Sequence, residues 1–176
     1  WSSDVCSSDL CLAIYSRVVN AQRTVAEIVR DTYPWCGGHE ATLARLFGAY
    51  VEAKQQQHLL DYDDLLLYWQ QAMGEPLLAA RIRSRFDHVL VDEYQDTNRL
   101  QAAILRALKP DGRGVTVVGD DAQAIYGFRA ATVHNILAFP ERFPQTTVVK
   151  LERNYRSSAP LLAASNAVIA RSPQDR

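Results

Sequence analysis

Two adjacent carboxylates, Asp92 and Glu93, stand directly after an apolar run in the stretch VLVDEYQDTN, residues 89–98. A buried parallel strand reads as an uninterrupted apolar or β-branched run, and it delivers the residues after it to the carboxyl edge of its sheet, where α/β proteins bind ligands. Asp92 at the tip and Glu93 just beyond it can therefore address different parts of one ligand, because successive side chains point to opposite sides. Two acids so placed suit two tasks. A hard Mg²⁺ ion takes oxygen ligands, commonly one or two carboxylates with retained waters and phosphate oxygens. A neighbouring carboxylate can orient an attacking water or take its proton. A strand followed by a solvated acidic turn has the same local pattern, so the pair alone leaves both readings open.

A second apolar run, residues 115–118, also leads into acids in VTVVGDDAQAIYGFRAA, and between the two runs residues 100–108 carry apolar positions at helical spacing before Pro110 and Gly112. Strand, helix and strand at this spacing predict a βαβ unit with a parallel sheet and a right-handed crossover. Two neighbouring strand tips would bring Asp92, Glu93, Asp120, Asp121 and Gln123 to one crevice, while Ile125 belongs with the core. Residues 147–151 are expected to form a third strand, ending in LERNYRS, with a helix over 159–170.

The elements before the first strand read as helical. Residues 11–32 predict one helix with Ile14, Val18, Val25, Ile28 and Val29 on a shared face, broken by YPWCGGH. Residues 40–58 predict a second, with Leu43, Leu46, Phe47, Tyr50 and Val51 inward. Residues 61–73 predict a third, capped by Asp61 or Asp63 and burying Leu65, Leu66, Tyr68 and Trp69. The arginines of 77–86 read as a solvated face, with contact to a phosphate backbone as the alternative. Residues 1–10, WSSDVCSSDL, repeat SSD and share no periodicity with the helical residues after them, so they read as an appended, non-native leader.

Composition narrows the classes. The chain has 176 residues, 48% of them hydrophobic, enough for a real core. A formal net charge of -1 gives no global basic field, so any nucleic-acid contact must rest on a local groove and on stacking. Three cysteines, Cys6, Cys11 and Cys36, form neither a CxxC pair nor an even set, which speaks against a disulfide framework or a zinc site and for a reducing cytoplasm. No apolar run approaches the roughly 18 residues of a membrane span, and no signal peptide is evident.

DEYQDTN, GDDAQAIYGFRAA and LERNYRS, in that order, resemble motifs II, III and IV of superfamily 1 DNA helicases of the UvrD/PcrA/Rep type. The resemblance implies an α/β fold: part of a P-loop NTPase (RecA-like) parallel sheet with flanking helices, preceded by a helical segment. Residues 11–60 would end a 1B-like insertion, 61–145 would form the second half of motor domain 1A, and 146–176 would open domain 2A, with the break near 139–146 at Pro140 and Pro144. It implies that Asp92 holds Mg²⁺ through water, Glu93 activates the hydrolytic water, and Gln123 senses the γ-phosphate of ATP. Tyr126, Phe128 and Arg129 would face single-stranded DNA, Tyr155 would stack on adenine, and Arg156 would reach the γ-phosphate. Packing in the core is the alternative for Tyr126 and Phe128, and a surface position the alternative for Arg156.

The implied activity is ATP-dependent 3′-to-5′ movement on single-stranded DNA and at junctions with duplex, in DNA repair or replication. Two departures qualify it. Gly127 and Ala130 stand where relatives often carry Arg and Gly, so the DNA contact should differ locally. No GxxxxGK[ST] loop occurs in these residues, so the chain alone is expected to be inactive and to need the remainder of its motor domains. A helicase–nuclease subunit of the AddA or RecB kind and a non-catalytic DNA- or nucleotide-binding module are the rival readings; a transporter ATPase would leave YGFR and NYR without a purpose.

Overall fold

The computed structural model describes residues 7–171, except for the side chains of Phe128 and Arg129. Helices dominate, around one small parallel sheet. The predicted helix over 11–32 is two helices, α1 (Ser8–Ala21) and α2 (Val25–Thr32). The break has a sequence cause that apolar periodicity does not register: Thr24 and Glu27 form a capping box, each side chain bonded to the other's backbone N–H. Gln22 closes α1 in the left-handed conformation at φ 53°. The start of α1 at Ser8, capped by Ser7, lies inside the stretch read as a leader, and Leu10 packs on the first core cluster.

A 3-10 turn at Pro34–Cys36 leads to α3 (Glu40–Gln56). These helices enclose Ile14, Tyr15, Ile28, Val29, Leu43 and Phe47, with the Tyr15 and Phe47 rings edge to face at 5.4 Å. Leu46, expected inward, is 48% exposed. Asp61 caps α4 (Tyr62–Ala72) in a capping box with Asp64. The inner face of α4 also departs from expectation: Leu65, Tyr68 and Trp69 are exposed, while Leu66 and Leu67 pack inward and Asp64 is buried. A hydrophobic pattern cannot mark a core position held by an aspartate, and Asp64 is buried because Lys54 neutralises it at 2.7 Å.

After α5 (Pro76–Arg83), the chain enters β1 (Val89–Val91), crosses over through α6 (Arg99–Leu108) and returns as β2 (Val115–Val117). β1 and β2 pair in parallel, Val89 with Val115 and Val91 with Val117, as the strand–helix–strand spacing predicts. Leu100, Ile104 and Leu108 of α6 pack against α4 and α5 around Met73 and Ala79. The four strand valines face Tyr94, Leu105, Phe139 and Phe143. Pro140 lies in the first turn of α8 (Phe139–Arg142), which follows the short α7 (His134–Leu137), a position where its missing N–H costs nothing.

The expected third strand over 147–151 is absent. Val148, Val149 and Leu151 are 65%, 73% and 87% exposed. A β pattern becomes a strand only against a partner edge, and β1–β2 does not extend to these residues. The chain then forms α9 (Ala159–Ile169), which carries no buried residue.

Candidate functional site

The carboxyl ends of β1 and β2 carry the two acidic turns side by side. Asp92 follows β1 and accepts a hydrogen bond through Oδ1 from the Glu93 N–H at 2.9 Å. Glu93 adopts the left-handed region, φ 50° and ψ 43°, a conformation that costs a residue with a Cβ about 1–2 kcal/mol. The reversal it makes sends the Tyr94 N–H to Val118 O at 2.9 Å, fastening the turn to the end of β2. Tyr94 is buried edge to face on Phe139, and burial raises its hydroxyl pKa despite the nearby Arg142 and Arg106.

Gln95 is the residue that joins the two turns. It is 1% exposed, donates through Nε2 to Glu93 Oε2 at 2.7 Å, and accepts through Oε1 from the Asp120 N–H at 3.0 Å. Gly119 makes room for it: a Cβ there would lie 2.5 Å from Gln95 Oε1 and 2.7 Å from Ile136 Cδ1. Asp120 accepts from the Ala122 N–H at 3.0 Å and from Gln123 Nε2 at 2.7 Å, which shapes the 3-10 turn Asp121–Gln123. Glu93, Gln95, Asp120 and Gln123 are thus connected in one hydrogen-bonded line, with Asp92 beside it. Asp92, Glu93, Asp120 and Gln123 all have exposed side chains.

This edge offers oxygen donors, and among the described residues no three His, Cys, Asp or Glu side chains form a cage for a metal. An open carboxylate edge fits an ion such as Mg²⁺, which keeps waters and phosphate oxygens in its shell.

Beyond Gln123 the backbone makes a second 3-10 turn, Tyr126–Arg129, and Arg17 of α1 anchors it by donating from Nη1 to Gly127 O at 2.9 Å. Tyr126 lines a cleft of about 590 Å³ together with Arg17, Asn20, Tyr62, Asp63 and Asn98. Its polar wall is tied across three helices: Asn98 Nδ2 donates to Asn20 Oδ1 at 2.9 Å, and Asn20 Nδ2 donates to Asp63 Oδ1 at 2.7 Å. Ile125, expected in the core, is 73% exposed. The side chains of Phe128 and Arg129 lie outside the described residues.

Tyr155 and Arg156 belong to the exposed segment before α9, and their bonds are local. Asn154 Oδ1 accepts from the Arg156 and Ser157 N–H groups at 2.8 and 2.9 Å, and the Arg153 guanidinium lies 5.0 Å from the Tyr155 ring centroid, with that ring 83% exposed. Sequence reasoning overlooked Gln95, Arg17 and Asn20. A glutamine two residues past the acids was the available sign for the first; the other two sit on a helix far from the motifs in sequence and carry no local mark.

The UvrD/REP helicase N-terminal domain matches residues 13–144. The chain belongs to the UvrD/REP helicase family. DNA helicase II of Escherichia coli (strain K12) is 43% identical over 131 residues, covering 74% of this chain and 18% of that protein. The ATP-dependent DNA helicase UvrD1 of Mycobacterium leprae is 39% identical over 171 residues, covering 89% and 21%. The ATP-dependent DNA helicase PcrA of Staphylococcus aureus (strain Mu50) is 32% identical over 155 residues, covering 88% and 21%. The chain therefore spans about a fifth of the length of these curated relatives. The family is the one its three motifs resemble, and the strand-tip acids and the Tyr126 turn lie within the matched stretch.

Proposed function

We propose that this chain carries the second half of the first RecA-like motor domain of an ATP-dependent 3′-to-5′ DNA helicase, with residues 146–176 opening the second motor domain. The observation that supports this best is the juxtaposition at the two strand tips, where Glu93 and Gln123 share one hydrogen-bonded line while the Tyr126 turn, three residues on, rests against α1.

Asp92 would hold Mg²⁺ through its water shell, and the ion would neutralise charge on the phosphate oxygens of ATP. Glu93 accepts the proton of the attacking water, a task for an exposed carboxylate at the edge of the sheet. Gln123 donates its amide either to Asp120, as here, or to the γ-phosphate, so it reports phosphate without adding charge. Tyr155 stacks on adenine and Arg156 reaches the γ-phosphate from the second motor domain, where an always-charged, forked guanidinium stabilises the transition state.

Tyr126, Phe128 and Arg129 hold single-stranded DNA. Aromatic stacking, worth roughly 1–3 kcal/mol per base, grips a strand without reading its sequence. Because the sensing amide and the stacking turn are adjacent in the chain, closing on ATP and relaxing after hydrolysis shift the DNA contact, a two-state coupling. Cytoplasmic DNA repair or replication is the setting such an enzyme serves. The test is strand displacement by the full-length protein from duplexes bearing either a 3′ or a 5′ single-stranded tail. ATP-dependent displacement from the 3′-tailed substrate is expected; no displacement from either tail would overturn the helicase reading, and displacement from the 5′ tail alone would overturn the polarity.

A further inference from the structure

We propose that Gln95 is a positioning residue for ATP hydrolysis, holding the Glu93 carboxylate and the Gln123 turn in one register so that the two groups move together. The inference rests on the reading of the strand-tip crevice as an ATP site and adds a residue to which the motif roles assign nothing. Its geometry is specific to an amide. Nε2 donates to Glu93 Oε2 at 2.7 Å while Oε1 accepts from the Asp120 N–H at 3.0 Å, and a neutral amide is the side chain that offers a donor and an acceptor at that spacing. Gln95 is 1% exposed, so water cannot easily substitute for either bond.

Two features around it argue against simple space filling. Glu93 is held in the left-handed region at φ 50°, so its backbone does not favour this placement intrinsically, and the bond from Gln95 fixes the carboxylate directly. On the other side, Gln95 Oε1 lies against the bare backbone of Gly119, where any Cβ would come within 2.5 Å of it. Its acceptor bond holds the residue whose carboxylate in turn holds Gln123 Nε2 at 2.7 Å. A displacement of Gln123 toward a phosphate therefore loosens Asp120 and is passed by one buried amide to the residue proposed as the general base.

The test is steady-state, DNA-stimulated ATP hydrolysis by the full-length protein carrying Gln95→Glu or Gln95→Met, with Glu93→Gln measured alongside. Gln95→Glu retains an acceptor for the Asp120 N–H but turns a like charge on Glu93; Gln95→Met keeps the volume and removes both of these bonds together with the longer one from Nε2 to Asp96 Oδ2 at 3.4 Å. Both are expected to lower kcat roughly 10- to 100-fold, the cost of small misplacement of a reacting group, while the KM for ATP stays near wild type; loss of buried bonds also lowers the unfolding temperature, so hydrolysis is measured well below it. A fall in kcat accompanied by an equal rise in KM would make Gln95 merely structural and overturn the proposal. If Glu93→Gln abolishes hydrolysis while both Gln95 variants stay within twofold of wild type, the positioning role fails and the ATP-site reading stands. If Glu93→Gln hydrolyses normally, that reading fails and the proposal falls with it. Should the Gln95 variants not fold, Asp120→Ala at the exposed end of the line takes their place: a kcat reduced at least fivefold at unchanged KM supports the relay, and an unchanged kcat overturns it.

Discussion

Ala130 sits at φ 61°, where the family pattern often places glycine, yet the residue is only 7% exposed and belongs to the first core cluster. Left-handed strain of about 1–2 kcal/mol is opposed by burial of one methyl, worth about 0.8 kcal/mol, and by the 0.4–1 kcal/mol or so that a glycine loses through the freedom of its unfolded chain. These terms nearly cancel, which accounts for alanine at a glycine position. Ala130→Gly should therefore shift stability by less than about 1 kcal/mol, whereas Ala130→Val, β-branched at positive φ, should destabilise by about 2 kcal/mol or more. Denaturant midpoints of the two variants would separate them, and equal losses would refute this account of the position. Gly127 differs: a Cβ there meets nothing within 4 Å and its backbone needs no glycine. Gly127→Arg should fold normally and, if this turn faces DNA, steepen the salt dependence of single-strand binding by about 0.7 in log–log slope for one added phosphate contact. A salt titration of fluorescence anisotropy reads this, and an unchanged slope would place the turn away from the strand.

At the level of elements, the join between α3 and α4 depends on a buried charge cluster. Lys54, with a side chain 9% exposed, donates to Asp61 at 2.6 Å, Asp64 at 2.7 Å and the Tyr15 hydroxyl at 3.2 Å. Burial opposes the lysine charge, but the bonds to Asp61, Asp64 and Tyr15 outweigh it and hold the pKa above its ordinary value. Burial likewise pushes Asp61 up, and the bonds from Lys54, the Asp64 backbone and Tyr50 more than offset it, leaving the carboxyl below its ordinary 3.8. The Asp61 contribution is therefore present above pH 3.8 and is lost as pH falls through its lower folded value. The Lys54 contribution is complete below pH 10.5 and is lost as pH rises through its higher folded value. Lys54→Met, which leaves two acids without their counter-charge, should cost about 3–5 kcal/mol near neutrality, the cost of breaking one side of a buried pair. The gap between variant and wild type, followed by denaturant unfolding against pH, should narrow at both extremes; a flat gap would remove the electrostatic explanation. This cluster also marks what the sequence conceals. Apolar periodicity located the helices, but it merged α1 with α2 across the Thr24–Glu27 capping box and misassigned the inner face of α4, because Asp64 is buried by a lysine ten residues earlier. Strands β1 and β2 and the acids at their tips were legible because apolar runs ending in acids are local patterns; Gln95 was not, since its role is defined only by a second strand 20 residues on.

On the scale of the whole molecule, the sheet is covered on one face. Val89, Val91, Val115 and Val117 pack inward, while Leu90 is 78% and Val118 51% exposed. Parallel sheets are normally buried on both faces, and the irregular segment 147–151 and α9 likewise leave Val149, Leu151, Leu161 and Val168 in solvent. These surfaces fit the proposed role as part of a larger motor. The most direct measurement is DNA-stimulated ATP hydrolysis by the full-length protein and by its Glu93→Gln variant, which keeps size and hydrogen bonding but cannot take a proton. The expected result is a kcat lowered by about 10²–10⁴ with the KM for ATP retained, the range for loss of a general base. Hydrolysis by Glu93→Gln within twofold of wild type would contradict the assignment of this crevice as the hydrolytic site.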